Sequence, residues 1–289
     1  MNRFLIVADS CCDLPLGIIK QHDIRILPMT VHFKHESFQN YPDQREITNR
    51  VFYNRLRERQ VAKTSQLNPA DFVSAIEPLL VEGYDVLMIT LSSALSGSHQ
   101  SMVVGREQLL EKYPDRKIVI IDSLSASLGE GFLVLRAAML KKEGQSLETI
   151  AAHIEGLITK NCGLFTVDEL GTLLRGGRIS LTKALLGTLL NAKPALKIDL
   201  NGKLVPFARA RGKKNAILVL LNEMERLIED QSIVLVAHSD SREEAERIKD
   251  EISKRHPDIP EIVIGEIGPV IGAHTGPGAV GIFFIGKER

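Results

Sequence analysis

The sequence predicts an α/β protein built from two α/β domains, the first with a mostly parallel sheet and the second with a mixed sheet that contains a hairpin. Three observations carry this. Short β-branched runs alternate with helix-length amphipathic segments through the first 160 residues, which is the pattern of βαβ units. Two consecutive helical patterns, about Gly129 to Lys142 and Ser146 to Lys160, interrupt the alternation and mark a boundary. Beyond them, Asn201-Gly202 joins two runs of alternating character, a strong hairpin signal when both turn positions take positive φ. The boundary expected is residues 1–160 against 161–289.

Element by element, RFLIVA opens as a strand and REITNRVFYNRLRERQ surrounds a helix. In PADFVSAIEPLL, Asn68 precedes Pro69 and is followed by Asp71, an N-cap with proline at the first helical position, and Gly83 sits where a C-terminal glycine belongs. DVLMITL is a strand, a helix runs to EKYP, and KIVIID is a strand. After the paired helices come the strand LFTV, a helix ending in RGG, and the hairpin ALKIDL-NG-KLVPFARA. KKNAILVLLNEMERLIED reads as a helix, SIVLVAHS as a strand, SREEAERIKDEISKRH as a charged helix, and EIVIGEI and GIFFIG as closing strands.

Composition narrows the function classes. Apolar residues make up 44% and charged residues 25% of 289, the balance of a soluble globular chain. Apolar runs such as SIVLVA and GIFFIG fall far short of the ~18 residues that span a bilayer, so no integral membrane association is expected. MNRFLIVADS has no signal-peptide cleavage pattern, so a cytoplasmic location is expected. Cys11, Cys12 and Cys162 are an odd number, which argues for reduced thiols. Adjacent Cys11 and Cys12 do not match metal sites, whose cysteines are separated by roughly two to four residues. The formal net charge is zero, against a general nucleic-acid surface. From Arg175 to Lys214, however, ten basic residues face a single acidic one, Asp199, and that segment calls for an anionic partner.

The chemistry-bearing segments are polar loops that follow strands, where parallel sheets bind their ligands. These are ADSCCDL, LSSALSGSHQS, DSLSASLGEG and AHSDS. In LSSALSGSHQS, Ser96-Gly97 opens a helix, so the Ser96 hydroxyl and the Gly97 N–H suit an oxyanion, while Ser96 or Ser93 equally suits a helix cap. Thr64, Ser65 and Gln66 precede another helix start. A serine hydrolase using Ser96 with His274 or His238 and with Asp9 or Asp122 is an alternative, but LSGSH has the wrong glycine spacing for a G-x-S-x-G elbow. No G-x-x-x-x-G-K-[ST] loop, dinucleotide pattern or paired-histidine metal motif is present, so neither a cofactor nor a metal is expected.

Taken in order, DSCCDLP, LPMTVHF, TSQLNPADF, LSSALSGSHQSM, DSLSASLGEG, DELGTLLRGGRIS, KPALKIDLNGKLVPFARARGKKNA and GPVIGAHTGPGAVGIFF resemble the DegV family of bacterial lipid-binding proteins over nearly the whole chain. The resemblance implies a two-domain α/β protein that buries one long-chain fatty acid, carboxylate at the domain interface and acyl chain in the second domain. It implies no catalysis by the chain itself, because a separate fatty acid kinase phosphorylates the bound carboxylate. The carboxylate site implied is Thr64, Ser96, the Gly97 N–H and His274, with Ser65 and Ser93 as neighbours. No lysine or arginine lies within TSQ, LSGS or GAHTGPG, which suits a carboxylate that must remain nucleophilic. Arg178, Arg209 and Arg211 are expected to contact the kinase or its phosphates, with a solvated basic face as the alternative. Candidate tail-lining stripes are LTKALLGTLL, LFTV and ILVLL. A lipid sensor acting on another protein is a further alternative.

Overall fold

The computed structural model describes residues 3–180, 182 and 192–289. In chain order the first part runs β1 (Phe4–Asp9), α1 (Leu16–Gln21), β2 (Arg25–Leu27), β3 (Thr30–Phe33), β4 (Glu36–Gln39), α2 (Asn49–Arg57), β5 (Lys63–Ser65), α3 (Pro69–Val81), β6 (Asp85–Thr90), α4 (Ser98–Lys112), β7 (Ile118–Asp122), α5 (Leu128–Lys142) and α6 (Leu147–Leu157). The second runs β8 (Asn161–Thr166), α7 (Leu170–Arg175), β9 (Lys193–Ile198), β10 (Leu204–Ala210), α8 (Lys213–Leu227), β11 (Ile228–His238), α9 (Arg242–Arg255), β12 (Ile262–Glu266), α10 (Pro269–Thr275) and β13 (Val280–Gly286).

The first four-stranded sheet, in the order β2-β1-β6-β7, is parallel throughout. The six-stranded sheet, β10-β9-β8-β13-β11-β12, is antiparallel except for its β11–β12 pair. This is the predicted division into a parallel and a mixed sheet, and β8 begins the second sheet at Asn161. A small antiparallel sheet, β4-β3-β5, is an addition that the sequence reading did not contain. Its strands are three or four residues long, too short for alternation to stand out.

The helix ends follow local chemistry. Asn68 and Asp71 form a full capping box with Pro69 at the first turn, and Gly83, at φ +89°, closes α3 through its N–H to Leu80 O. Two expectations need correction. The helix expected over KKNAILVLLNEMERLIED stops at Leu227, because Ile228 begins the long strand β11 and pairs with Gly286. The hairpin turn does not hold both Asn201 and Gly202 at positive φ. Gly202 alone does so, at +73°, while the Asp199 carboxylate accepts the N–H groups of Asn201 and Lys203.

β13 is central in its sheet and buried along its whole length. Its alternation divides the interior: Ile282 and Phe284 pack beneath α8 and α9, whereas Ala279, Phe283 and Ile285 join a core shared with the parallel sheet and α5. That shared core ties the two halves together, and the functional cavity lies within it.

Candidate ligand site between the two sheets

Loops at the carboxyl ends of the parallel strands are knitted together before any ligand is considered. Asp9, ending β1, accepts N–H bonds from Cys11 and from Leu91 after β6, each at 2.9 Å. Asp122, ending β7, accepts from Ser93 at 3.1 Å and Leu124 at 3.0 Å. The Ser92 hydroxyl reaches across to Gly202 O at 3.0 Å, so the β9–β10 turn of the second half docks on the loop after β6.

α10 is clamped from the first half. The buried Asp13 carboxylate accepts the Gly268 N–H at 2.9 Å and the Ser127 hydroxyl at 2.6 Å, and the Tyr53 hydroxyl donates to Ile267 O at 2.7 Å. Burial pushes the Asp13 carboxyl from 3.8 up to about 8, against the lowering effect of these two bonds. Beyond α10 the chain turns back through Gly276 and Gly278, at φ +73° and +86°. A Cβ on Gly278 would also collide with the Asp168 carboxylate. Both positions thus favour glycine, and they carry the return into β13.

So placed, α10 brings His274 to Thr64 of β5, with Nε2 2.9 Å from the hydroxyl. Its Nδ1 is buried against Gly176, where a Cβ would collide with it, and has no hydrogen-bond partner. The tautomer that leaves no buried N–H unmade carries the proton on Nε2. Burial first, and the Arg178 charge second, lower the imidazole from 6.5 to about 4, so His274 is neutral at neutral pH.

Thr64, Ser96 and His274 all line one apolar cavity with about 820 Å³ of empty space, its open mouth included. Its walls include Met29, Leu91, Leu95 and Ala126 from the first half and Phe165, Ile198, Leu204, Val270 and Phe283 from the second. The cavity is thus not confined to residues 161–289, as the resemblance had implied; both sheets contribute because they share a core. Of the expected tail stripes, LFTV contributes Phe165. Leu220 and Leu221 of ILVLL pack in the other core, and LTKALLGTLL lies outside the described residues except for Thr182.

An open cleft adjoins the cavity, walled by six basic side chains, among them Arg57, Lys63, Arg175 and Lys213, and four acidic ones. Thr64, Arg178 and His274 line both spaces. The head-group motifs themselves hold no cation, but the turn after α7 folds back to bring Arg178, expected as a phosphate contact, beside them. Arg178 donates to Gly176 O at 2.6 Å and Leu95 O at 3.2 Å, which holds its charge there. The basic segment is also less free than its composition suggests, since Lys193 and Lys213 pair with Asp168 at 3.1 and 3.4 Å.

The other predicted residues fall outside the lining. Ser65 bonds His32 Nε2 at 2.6 Å, Ser93 is exposed with its N–H on Asp122, and Gly97 is exposed beside the Gln66 side chain. Arg209 and Arg211 are exposed and line neither space. Gln66, which sequence noted only as a neighbour, is a lining residue. The hydrolase arrangement is not assembled among the described residues. Ser96 is bonded to the Ser98 hydroxyl at 2.9 Å rather than to His274, His274 Nδ1 has no carboxylate, and His238 Nδ1 accepts the Ser241 N–H at 3.3 Å. The three cysteines are buried and free, no group of His, Cys, Asp and Glu among the described residues is arranged to hold a metal, and no described helix is long and apolar enough to cross a membrane.

Comparison with known proteins now decides the family. The sequence profile described as "Uncharacterised protein, DegV family" matches residues 3–287. The chain belongs to the DegV family. A DegV domain-containing protein of Clostridium perfringens is 42% identical over 100% of this chain and 99% of its own. A DegV family protein from Thermus thermophilus, whose structure is described in terms of fatty acid binding, is 33% identical with a TM-score of 0.88 over 97% of this chain and 98% of its own. DegV from Bacillus subtilis, described as a fatty acid binding protein, is 32% identical with a TM-score of 0.85 over 99% and 100%. In DegV terms, the GAHTGPG segment supplies the buried imidazole and TSQ supplies its hydroxyl partner.

Proposed function

We propose that this DegV protein binds one long-chain fatty acid and presents its carboxylate to a separate fatty acid kinase, with no catalysis of its own. The observation that carries this reading is the junction at Thr64, Arg178 and His274, the three residues common to an apolar cavity and an adjoining cleft lined by charged side chains. An acyl chain belongs in the first space and a reacting head group at the boundary.

The donors suit a carboxylate. His274, neutral and protonated on Nε2, donates to the Thr64 oxygen and leaves the threonine hydroxyl hydrogen free for the ligand; Ser96 adds a second hydroxyl. Arg178 supplies positive charge, but its shortest bonds go to backbone carbonyls. The carboxylate is then stabilised without a dedicated fork of guanidinium bonds, and keeps an oxygen toward the cleft for phosphoryl transfer. The cleft is the face on which a kinase would bring its nucleotide, and the support for that partner is the family membership together with the cleft's position.

Organic extraction of freshly purified protein followed by mass spectrometry tests the reading. Near-stoichiometric fatty acid is expected. Recovery of none, together with no binding of added long-chain fatty acids, would overturn it. Incubation of the loaded protein with a fatty acid kinase and ATP, read as acyl hydroxamate after hydroxylamine capture, tests the partner separately.

A further inference from the structure

The cavity has a far end as well as a mouth, and the strand that leads away from His274 draws its profile. Ala279, just ahead of β13, and Gly281 and Phe283 within it alternate along one face, and all three line the cavity. At about 3.3 Å per residue they span roughly 13 Å. The first two are small and the third is a phenyl ring that leans back over Gly281, where a Cβ would come within 3.1 Å of Phe283 Cε2. The facing strand reverses the sizes, since Gly281 stands opposite Phe165 and Phe283 opposite Gly163.

The Phe283 ring therefore lies against glycines of both strands, Gly281 on its own and Gly163 on the neighbour. A Cβ on Gly163 would come within 3.0 Å of Phe283 Cε1 and 2.9 Å of Ile198 Cδ1, so these two side chains meet above that glycine. From α5, a Cβ on Gly129 would come within 2.9 Å of Phe283 Cδ1. The ring is gripped from two sides and is 4% exposed. The next pair along the strands, Asn161 with Ile285, does not line the cavity, and Asn161 Nδ2 is bonded to Gly129 O at 2.8 Å. Beyond Phe283 this wall is packed interior.

We propose that Phe283, seated over Gly163 and Gly129 and abutting Ile198, is the stop that sets the length of acyl chain the protein accepts. The inference rests on the fatty-acid reading and adds the residue that decides among fatty acids. Phe283→Ala extends the cavity toward Asn161 and Ile285, whereas Gly163→Ala drives the ring and Ile198 into it.

Affinities for saturated fatty acids from dodecanoate to eicosanoate, measured by displacement of a fluorescent fatty acid, provide the test. In wild type, affinity should rise about fourfold per methylene up to a limiting length and then fall. Phe283→Ala should move that limit to longer chains, and Gly163→Ala to shorter ones. Should Phe283→Ala lose its cooperative thermal transition, Phe283→Leu and Ile198→Val carry the same test with smaller displacement. Phe284→Leu, on the opposite face of β13, should lower stability and leave the order of lengths unchanged. Phe283 variants that bind with the wild-type length profile overturn the inference while leaving the fatty-acid reading intact. Wild type that binds no member of the series overturns both.

Discussion

His274 Nε2 lies 2.9 Å from the Thr64 hydroxyl across 210 positions of sequence. The contact joins α10 of the second half to β5 of the small antiparallel sheet, so the proposed head-group site is assembled from both halves. The clamp of Asp13 and Tyr53 on the start of α10 has the same character, because each reaches from the first half to backbone groups just ahead of the helix.

Removing this pair's donors should weaken ligand retention without dismantling the fold. Thr64→Val keeps the shape and loses the hydroxyl; His274→Ala and Ser96→Ala remove the neighbouring donors. A lost hydrogen bond to a charged group is worth about 1.5–3 kcal/mol, so fatty-acid affinity should drop on the order of tenfold to a hundredfold in Thr64→Val and Ser96→Ala, and less in His274→Ala, which acts by releasing the Thr64 hydroxyl from its orienting bond. Equilibrium competition with a fluorescent fatty acid measures it, and unchanged affinity in all three would refute the head-group assignment.

Gly176→Ala should displace the imidazole. Gly176 has φ −71°, a conformation that alanine adopts freely, so backbone strain is not at issue. The new methyl collides instead with His274 Nδ1. Reduced fatty-acid affinity with a shifted His274 ring resonance in NMR is the expected result, and a thermal midpoint lowered more by His274→Ala than by this variant would count against the steric account.

The sequence reading recovered the alternation of strands and helices, the parallel-then-mixed division and the capping of α3, because each is written in local pattern. It also brought together Thr64, Ser96 and His274 through the resemblance of TSQ, LSGS and GAHTGPG to DegV motifs. What it missed is set by tertiary approach. Nothing local in DELGTLLRGGRIS says that Arg178 returns to His274, or that Gly176 is the surface on which the ring rests. Ser65 and Ser93 stand next in sequence to residues of interest, but Ser65 meets His32 while Ser93 lies exposed beside Asp122. The division of the cavity between the two halves was illegible because apolar residues on the inner faces of two sheets look the same whether they pack on each other or leave a gap.

Asp13 should make stability fall as pH rises. Its carboxyl goes from 3.8 ordinarily to about 8 in the folded protein, so between those values the folded state holds a proton that the unfolded chain has released. The contribution is whole below 3.8 and is lost as pH climbs through about 8. Asp13→Asn cannot titrate, and its amide still accepts the Gly268 N–H and donates to Ser127. Urea unfolding of both proteins should show wild type losing ground to the variant by up to about 1.4 kcal/mol per pH unit within that window. A difference that does not vary with pH would exclude the buried, protonated carboxyl.

Arg178→Gln should raise the His274 pKa above about 4 yet leave it below 6.5, since burial is the larger cause of the lowering and the arginine charge the smaller. An NMR titration of the ring checks both bounds; a value at or above 6.5 would mean that charge, not burial, holds the imidazole neutral. The same variant separates two roles of the guanidinium. On the proposed function, Arg178 at the cavity mouth would stabilise the ligand carboxylate, so its loss should weaken retention. On the same proposal, Arg178 on the cleft side would face an incoming phosphoryl group, so its loss should slow kinase-dependent acyl phosphate formation further, even with the site saturated by fatty acid. Equal rates at saturation would confine Arg178 to ligand binding and move the kinase contact to other side chains of the cleft.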